Sequence, residues 1–371
     1  MNSSDEKPRS RPVVPPIVLS STFAFPDTAS EAAAAATREG HIYTRWSNPT
    51  IEAAEERLAD LEGAERCLLM GSGMAAISVA LIHAARRGGT ILVQEPVYGG
   101  THEVCAQLLP GLGAEIRTAS VDDLIAKAAK LPAGATIYTE VPANPTNRVA
   151  DLVAIRAAAP TARILVDATF ASPVNLRALE HGADLVLHSA SKYLGGHHDL
   201  IAGAVVGSGP QMEELWYLRK LLGPVLDPAA AYRLWRGMET VELRVQRQSQ
   251  TSAILASRLA EHPAVIKVHY PSLPSHPDHA VAARLLSGFG GVVSFDVGER
   301  ASAVANALQR FAHGPSLGGT QSMVSWPAGV SHVNVPVAVQ ARSGITPGLL
   351  RLAVGLEDPE VLWGDLVGGL G

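Results

Sequence analysis

Residues Ala183–Gly207 read ADLVLHSASKYLGGHHDLIAGAVVG, and the rest of the chain is best read outward from them. Leu185–Leu187 is a short apolar run of the kind that forms a buried strand. The chain then turns polar through Ser189, Ser191 and Lys192, and Gly195-Gly196 interrupts any regular element. A second apolar run, Ile201–Val206, returns to the core. Lysines are mostly exposed, so Lys192 alone reads equally well as a loop lysine. A lysine just beyond a buried strand, flanked by small hydroxyl residues, also suits a Schiff base with hydroxyls placed to hold a phosphate.

About 25 residues upstream, ARILVDATF puts Asp167 at the end of another apolar run, Ile164–Val166. A strand-end aspartate is often only a cap or turn residue. Here it is also placed to pair with a pyridine nitrogen and keep it protonated, since an opposite charge favours the charged form. Lys192 and Asp167 together therefore point to pyridoxal 5'-phosphate, whose protonated ring is an electron sink.

The totals exclude several classes. A net charge of -5 gives no electrostatic case for nucleic acid. The two cysteines, Cys67 and Cys105, cannot build a disulfide framework or a cysteine-only metal site. Met1–Pro16 lacks the apolar core of a secretory signal, and no apolar run is long enough to span a bilayer. The expectation is a cytoplasmic enzyme. Its 371 residues divide into an arm (1–50), a cofactor-binding domain (51–245) and a smaller α/β domain (246–371).

The arm is punctuated by proline and has one short helix, Ser30–Arg38, with Ser30 as its cap. Tyr43 and Arg45 follow in HIYTRWSNPT, a segment that cannot build a core of its own and is expected to lie across another subunit. By itself Arg45 reads as a surface residue. From Thr50 the pattern is helical and stops at Gly63. Gly71-Ser72-Gly73 then leads into a helix starting near Met74, whose free amides suit a phosphate, although the same tripeptide is also a plain turn. It lacks the Gly-Lys-Ser/Thr ending of a P-loop, and no GxGxxG supports a nicotinamide site.

Strand-like runs Ile91–Val93 and ATIYTEV alternate with helical segments Val121–Ala129, Val153–Ala158 and Leu176–His181. This alternation predicts a mostly parallel sheet with helices on both faces, and ligands beyond the carboxyl ends of its strands. Tyr98, Asn144, Asp167 and Lys192 all fall at such ends. Tyr98 could stack on a flat ring or simply pack on its neighbours. The region to about His262 is helical, and Arg233, Arg236, Arg244 and Arg247 read as a solvated or subunit-facing stripe. The smaller domain has a helix at Ala280–Leu286, a strand in GGVVSFDV, a helix at Ala301–Ala312 and a strand opened by Arg351. Arg351 would hold a substrate carboxylate bidentately if it faces the cofactor, or lie in solvent if on an edge. His197 and His198 are adjacent and have no third ligand at suitable spacing, so no metal site is expected.

The chain resembles the PLP-dependent Cys/Met-metabolism family, which includes cystathionine γ-synthase, cystathionine γ-lyase, cystathionine β-lyase and methionine γ-lyase. The resemblance runs almost end to end through YTRWSNPT, GSGMAAI, VYGGT, EVPANPTNRV, VDATFASP, HSASKYLGGHHD, PSLPSHP, GFGGVVSF, SLGG and LLRLAVGLED. It implies the aspartate-aminotransferase-like fold type I and a homo-oligomer, usually a tetramer. By this resemblance Lys192 is the Schiff-base lysine, Asp167 the pyridine partner, and Tyr98 the stacking and acid/base residue. Ser189, Ser191 and the amides of Gly73 and Met74 form the phosphate cup. Tyr43 and Arg45 reach a neighbouring subunit's phosphate, and Arg351, Ser316 and Asn144 take the α-carboxylate. The substrate amine displaces Lys192, which then removes the α proton, and elimination or replacement follows at the β or γ carbon.

Departures from the family bear on the substrate. Glu103 stands where cystathionine-handling members carry arginine, Pro315 precedes SLGG where glutamate is frequent, and Gln321 replaces another glutamate. Gly100 occupies the place of methionine γ-lyase's loop cysteine. The expectation is γ-elimination or γ-replacement of the cystathionine γ-lyase/γ-synthase type, with a distal substrate end that is not a simple carboxylate. Methionine γ-lyase or cystathionine β-lyase chemistry, a specialised γ-substitution, and a non-catalytic PLP-fold protein are the alternatives.

Overall fold

A computed structural model describes residues 12–371. The first eleven residues, on which the arm and the missing signal were partly read, lie outside the described residues. Seven strands form the larger sheet: β1 (Arg66–Met70), β2 (Thr90–Glu95), β3 (Glu115–Ser120), β4 (Thr136–Glu140), β5 (Arg163–Asp167), β6 (Leu185–His188) and β7 (Gly203–Gly207). Their order is β1-β7-β6-β5-β4-β2-β3. Only β7 runs against its neighbours.

Every residue of β4 and β6 is buried, as a parallel sheet covered on both faces requires. Alternate residues feed two cores. Ile164, Val166 and Val186 pack with Leu58 and Leu234, from helices Pro49–Glu62 and Pro228–Met238. Leu165, Leu185 and Leu187 pack with Ile77, Leu81 and Leu215, from helices Gly73–Arg86 and Pro210–Leu222. Because the central strands are parallel, the turns following β2, β4, β5 and β6 open on one edge of the sheet.

The 21-residue helix Val241–Glu261 carries the chain to a second sheet. Val245 belongs to the first core and Leu255 and Leu259 to the second, so the division expected at 245/246 falls inside this helix. The second sheet contains β8 (Lys267–His269), β9 (Val292–Asp296), β10 (Ala312–His313), β11 (Met323–Ser325) and β12 (Leu349–Ala353), in the order β10-β11-β12-β9-β8. Leu350 and Leu352 enter its core beneath the C-terminal helix Pro359–Leu370. By strand alternation Arg351 faces the other way, towards the carboxyl edge of the larger sheet. It lies on a central strand and is 2% exposed, which removes the solvent-edge alternative.

Local readings needed correction where capping or distant contacts decide. The arm helix is Thr28–Thr37, and its cap is Asp27, whose Oδ1 accepts the Ser30 N–H at 2.7 Å. Ser30 is thus inside the helix. Arg244 is not part of a solvated stripe. It is buried and donates to the carbonyls of Tyr193 (2.7 Å) and Gly237 (2.5 Å), bracing the turn after Lys192. The helix expected at Leu176–His181 shrinks to a 3-10 turn, Ala178–His181. The helix from Ala301 ends at Ala307, and Ala312 opens β10.

Candidate active site

A cavity of about 800 Å³ lies at the carboxyl edge of the larger sheet, roofed by the second. Gly73, Met74, Tyr98, Glu103, Asn144, Asp167, Ser189, Ser191, Lys192, Ser316 and Arg351 all line it. These eleven sequence-derived site residues come from seven separate segments of the chain.

Lys192 lies in the turn after β6, four residues beyond its last strand residue. Its Nζ donates to Ser316 Oγ at 3.0 Å. Burial, and secondarily the charge of Arg351, lowers the amine from its ordinary value to about 8. At pH 7.5 that leaves about a quarter of the amine neutral, against about one in a thousand for a free lysine.

Asp167 ends β5. Its Oδ1 accepts from Thr169 N (2.9 Å) and its Oδ2 from Tyr138 Oη (3.2 Å). Glu140 ends β4 directly opposite it in register. Burial raises the proton affinity of both carboxyls above the ordinary range, and the charge of Asp167 raises that of Glu140 further. Arg351 is the converse. Its Nη1 donates to Asn144 Oδ1 (3.0 Å) and its Nη2 to the Pro315 and Ser316 carbonyls (2.8 and 3.2 Å), while Nε has no partner. No carboxylate among the described residues pairs with it, and burial alone lowers its affinity for a proton to about 10. A buried charge without a counter-ion costs several kcal/mol. The cavity therefore presents a carboxylate pair short of a cation at one wall and a cation short of an anion at another.

The wall nearest the helix Gly73–Arg86 is built for close approach. Ser72 caps that helix, its Oγ accepting from Ala75 N at 3.0 Å, and the amides of Gly73 and Met74 have no intrahelical partners. A Cβ on Gly73 would lie 2.7 Å from Ser189 Cβ, so only glycine lets the helix end meet Ser189. Ser189 N donates to Thr169 Oγ1 at 2.8 Å. The Ser191 hydroxyl exchanges bonds with the Ala202 backbone, at 2.9 and 3.2 Å, and is less free to turn inward.

Tyr43 and Arg45 do not line this cavity. Tyr43 is 42% exposed, and Arg45 donates to the Lys220 carbonyl at 2.9 Å while stacking over Tyr43. Glu103 does line it, one carboxylate oxygen accepting from Asn334 Nδ2 at 2.8 Å. Pro315 is in the wall, but Gln321 is exposed and outside it. His198, set aside with the metal question, lines the cavity as well, and His197 Nδ1 bonds the Gly195 carbonyl. Glu140, Tyr138 and Thr169 were missed in the sequence. The only signal for Glu140 was its position: an acidic residue closing a buried strand, as Asp167 does.

The residues present fit pyridoxal phosphate: a depressed-pKa lysine, a buried carboxylate without a cation, and a helix N-terminus beside Ser189. The fold and this cavity define a fold type I PLP-dependent enzyme. Comparison with known proteins agrees. The model of the Cys/Met metabolism PLP-dependent enzyme family matches residues 1–371. An L-methionine gamma-lyase of Pseudomonas deceptionensis is 39% identical over 367 residues, covering 95% of this chain and 91% of its own. A cystathionine gamma-lyase of Bacillus subtilis (strain 168) is 39% identical over 335 residues, 88% of each chain. The crystal structure of cystathionine gamma synthase from Xanthomonas oryzae pv. oryzae in complex with aminoacrylate and cysteine superposes with a TM-score of 0.89 at 35% identity. That match covers 96% of this chain and 92% of that one. The chain belongs to the Cys/Met metabolism PLP-dependent enzyme family, and pyridoxal phosphate is its cofactor.

Proposed function

We propose that the chain catalyses elimination or replacement at the γ-carbon of sulfur-containing or O-activated amino acids whose distal end carries no net negative charge. The observation that carries the amino-acid reading is Arg351, a buried cation whose unsatisfied Nε and missing counter-ion suit a substrate carboxylate. When bound, the cofactor supplies a protonated ring that accepts electron density from the substrate α-carbon.

The chain's own residues do the rest. Arg351, held by Asn144 and the Ser316 carbonyl, orients the α-carboxylate. Lys192, once released, takes the α proton, and its lowered affinity for protons keeps a usable fraction neutral. The Tyr98 hydroxyl exchanges a proton at the departing or entering γ substituent. Asp167 balances the ring charge, while Ser189 and the amides of Gly73 and Met74 bind the phosphate. Tyr43 and Arg45 act on the phosphate of a second copy, which makes the working unit at least a dimer, and a dimer of dimers is the family's usual form. The working unit divides into an arm, a cofactor-binding domain and a small domain bearing Arg351. Among the described residues no helix is long and apolar enough to cross a membrane, in keeping with a cytoplasmic enzyme.

Glu103 decides the distal preference. It has no cationic partner among the ion pairs described and sits in the cavity wall, so a substrate's second carboxylate would meet like charge. Products from cystathionine, methionine, O-acetyl-homoserine and O-succinyl-homoserine, with and without a thiol, are to be identified by mass spectrometry for wild type and Glu103→Arg. Release of 2-oxobutyrate without thiol makes it a lyase, and a thioether formed only with thiol makes it a synthase. No turnover of any substrate contradicts the reaction class. The variant should raise the kcat/KM ratio of succinyl over acetyl ester by about 10-fold, equivalent to about 1.4 kcal/mol. An unchanged ratio contradicts the role of Glu103.

A further inference from the structure

Glu140 is the one carboxylate in the cavity wall to which the proposed reaction assigns nothing. It is 4% exposed. Its Oε1 accepts the backbone N–H of Tyr98 at 2.6 Å, and its Oε2 accepts that of Asn144 at 3.3 Å. The first amide belongs to the turn after β2, 42 residues away in sequence, and the second to the turn after β4. Asn144 in turn holds Arg351 through its side chain. One carboxylate thus ties the wall that carries Tyr98 to the wall that carries Arg351.

We infer that Glu140 is a positioning residue, a brace that sets the Tyr98 ring and the Asn144–Arg351 pair at a fixed separation across the cofactor cavity. This rests on the reading of the cavity as the PLP site. The physical reason is economy of donors and acceptors. A carboxylate offers two acceptor oxygens on a rigid planar fork, so two amides from different loops are fixed relative to one another by one side chain. A glutamine has only one acceptor oxygen and would turn an NH₂ donor towards the other amide. Alanine leaves both amides unpaired in a buried place. Neither loop is held there by regular sheet pairing, since β2 and β4 end at Glu95 and Glu140. The neighbouring Asp167 carboxyl makes Glu140 a poor choice for a merely structural bond, because its charge adds to burial in raising the proton affinity of Glu140.

The test uses wild-type, Glu140→Gln and Glu140→Ala holoproteins. Four quantities are read: the visible circular dichroism of the bound cofactor, the dissociation constant for pyridoxal phosphate, and kcat and KM separately for the best substrate. Misplacing reacting groups by about 1 Å costs about 100-fold in rate. The alanine variant should lose about that in kcat/KM, with a rise in KM from the displaced Arg351 and a fall in kcat from the displaced Tyr98. The glutamine variant should fall between it and wild type. Both should change the cofactor's dichroism, because Tyr98 would stack on the ring. Folded variants whose dichroism, cofactor affinity and kinetics stay within about threefold of wild type overturn the brace. If wild type proves inactive on every substrate offered, dichroism and cofactor affinity still decide. If neither variant folds, hydrogen exchange of the wild type decides: slow exchange of both the Tyr98 and Asn144 amides supports the brace, and fast exchange of either overturns it.

Discussion

Lys192 concentrates the chemistry in one side chain. Among the described residues no carboxylate pairs with its amine, which donates to the Ser316 hydroxyl and feels the charge of Arg351. Burial favours the neutral amine most, and the charge of Arg351 acts in the same direction. In the cofactor-free protein, pulse acetylation followed by peptide mass spectrometry should find Lys192 half-maximally reactive near pH 8. Arg351→Leu should move that midpoint upward, because the second cation is gone. A midpoint near that of surface lysines in the same digest contradicts the account. The sequence made Lys192, Asp167 and Ser189 legible because each stands where an apolar run ends. It hid Glu140 and Thr169, whose roles depend on backbone amides and hydroxyls from other strands. It misrepresented Arg244, because no pattern within a helix distinguishes a solvated arginine from one that caps carbonyls of a distant turn.

Among the elements, the segment from Trp326 to Ser343 forms part of the cavity wall. Val330, Ser331, Val333 and Asn334 line it, and a Cβ on Gly99 would lie 2.4 Å from the Ser331 carbonyl. His332 anchors the segment. It is 1% exposed, Nδ1 shares a hydrogen bond with Ser331 Oγ at 2.9 Å, and Nε2 has no partner. Burial, then the charge of Arg351, lowers its affinity for a proton to about 4, with His102 acting in the same direction. The folded state therefore holds His332 neutral. The unfolded chain takes up a proton below about pH 6.5 that the folded chain refuses until about pH 4. Stability contributed by the neutral ring is complete above pH 6.5 and is lost as pH falls through this window. His332→Gln should remove that loss, so the melting midpoints of wild type and variant should converge, or cross, as pH falls from 7 to 4.5. Parallel curves would contradict the anchor. In the second sheet β9 and β12 were legible, while β8, β10, β11 and the helix ends were not: the helix from Ala301 stops at Ala307, and Ala312 begins the short β10 that pairs with β11.

The whole molecule explains why two of the residues singled out in the sequence stand away from the cavity. Tyr43 and Arg45 lie on an arm that bonds back to its own chain through Thr22, Ile42 and Lys220, and it exposes Val13, Ile17 and Leu19. An arm with its apolar side chains in solvent is suited to covering another copy. The proposed function therefore needs a site built from two chains, with Lys192 from one and Arg45 from the other. Sequence resemblance carried this expectation, since nothing in the local pattern of HIYTRWSNPT shows which chain it serves. The most direct measurement is to co-express Lys192→Ala with Arg45→Ala, each of which should be nearly inactive alone, and to assay the mixture. Random pairing makes half the dimers hybrid with one intact site in each, so activity should recover to about a quarter of wild type. A mixture no more active than its separate components would contradict the claim that Lys192 and Arg45 complete one another's site across the interface.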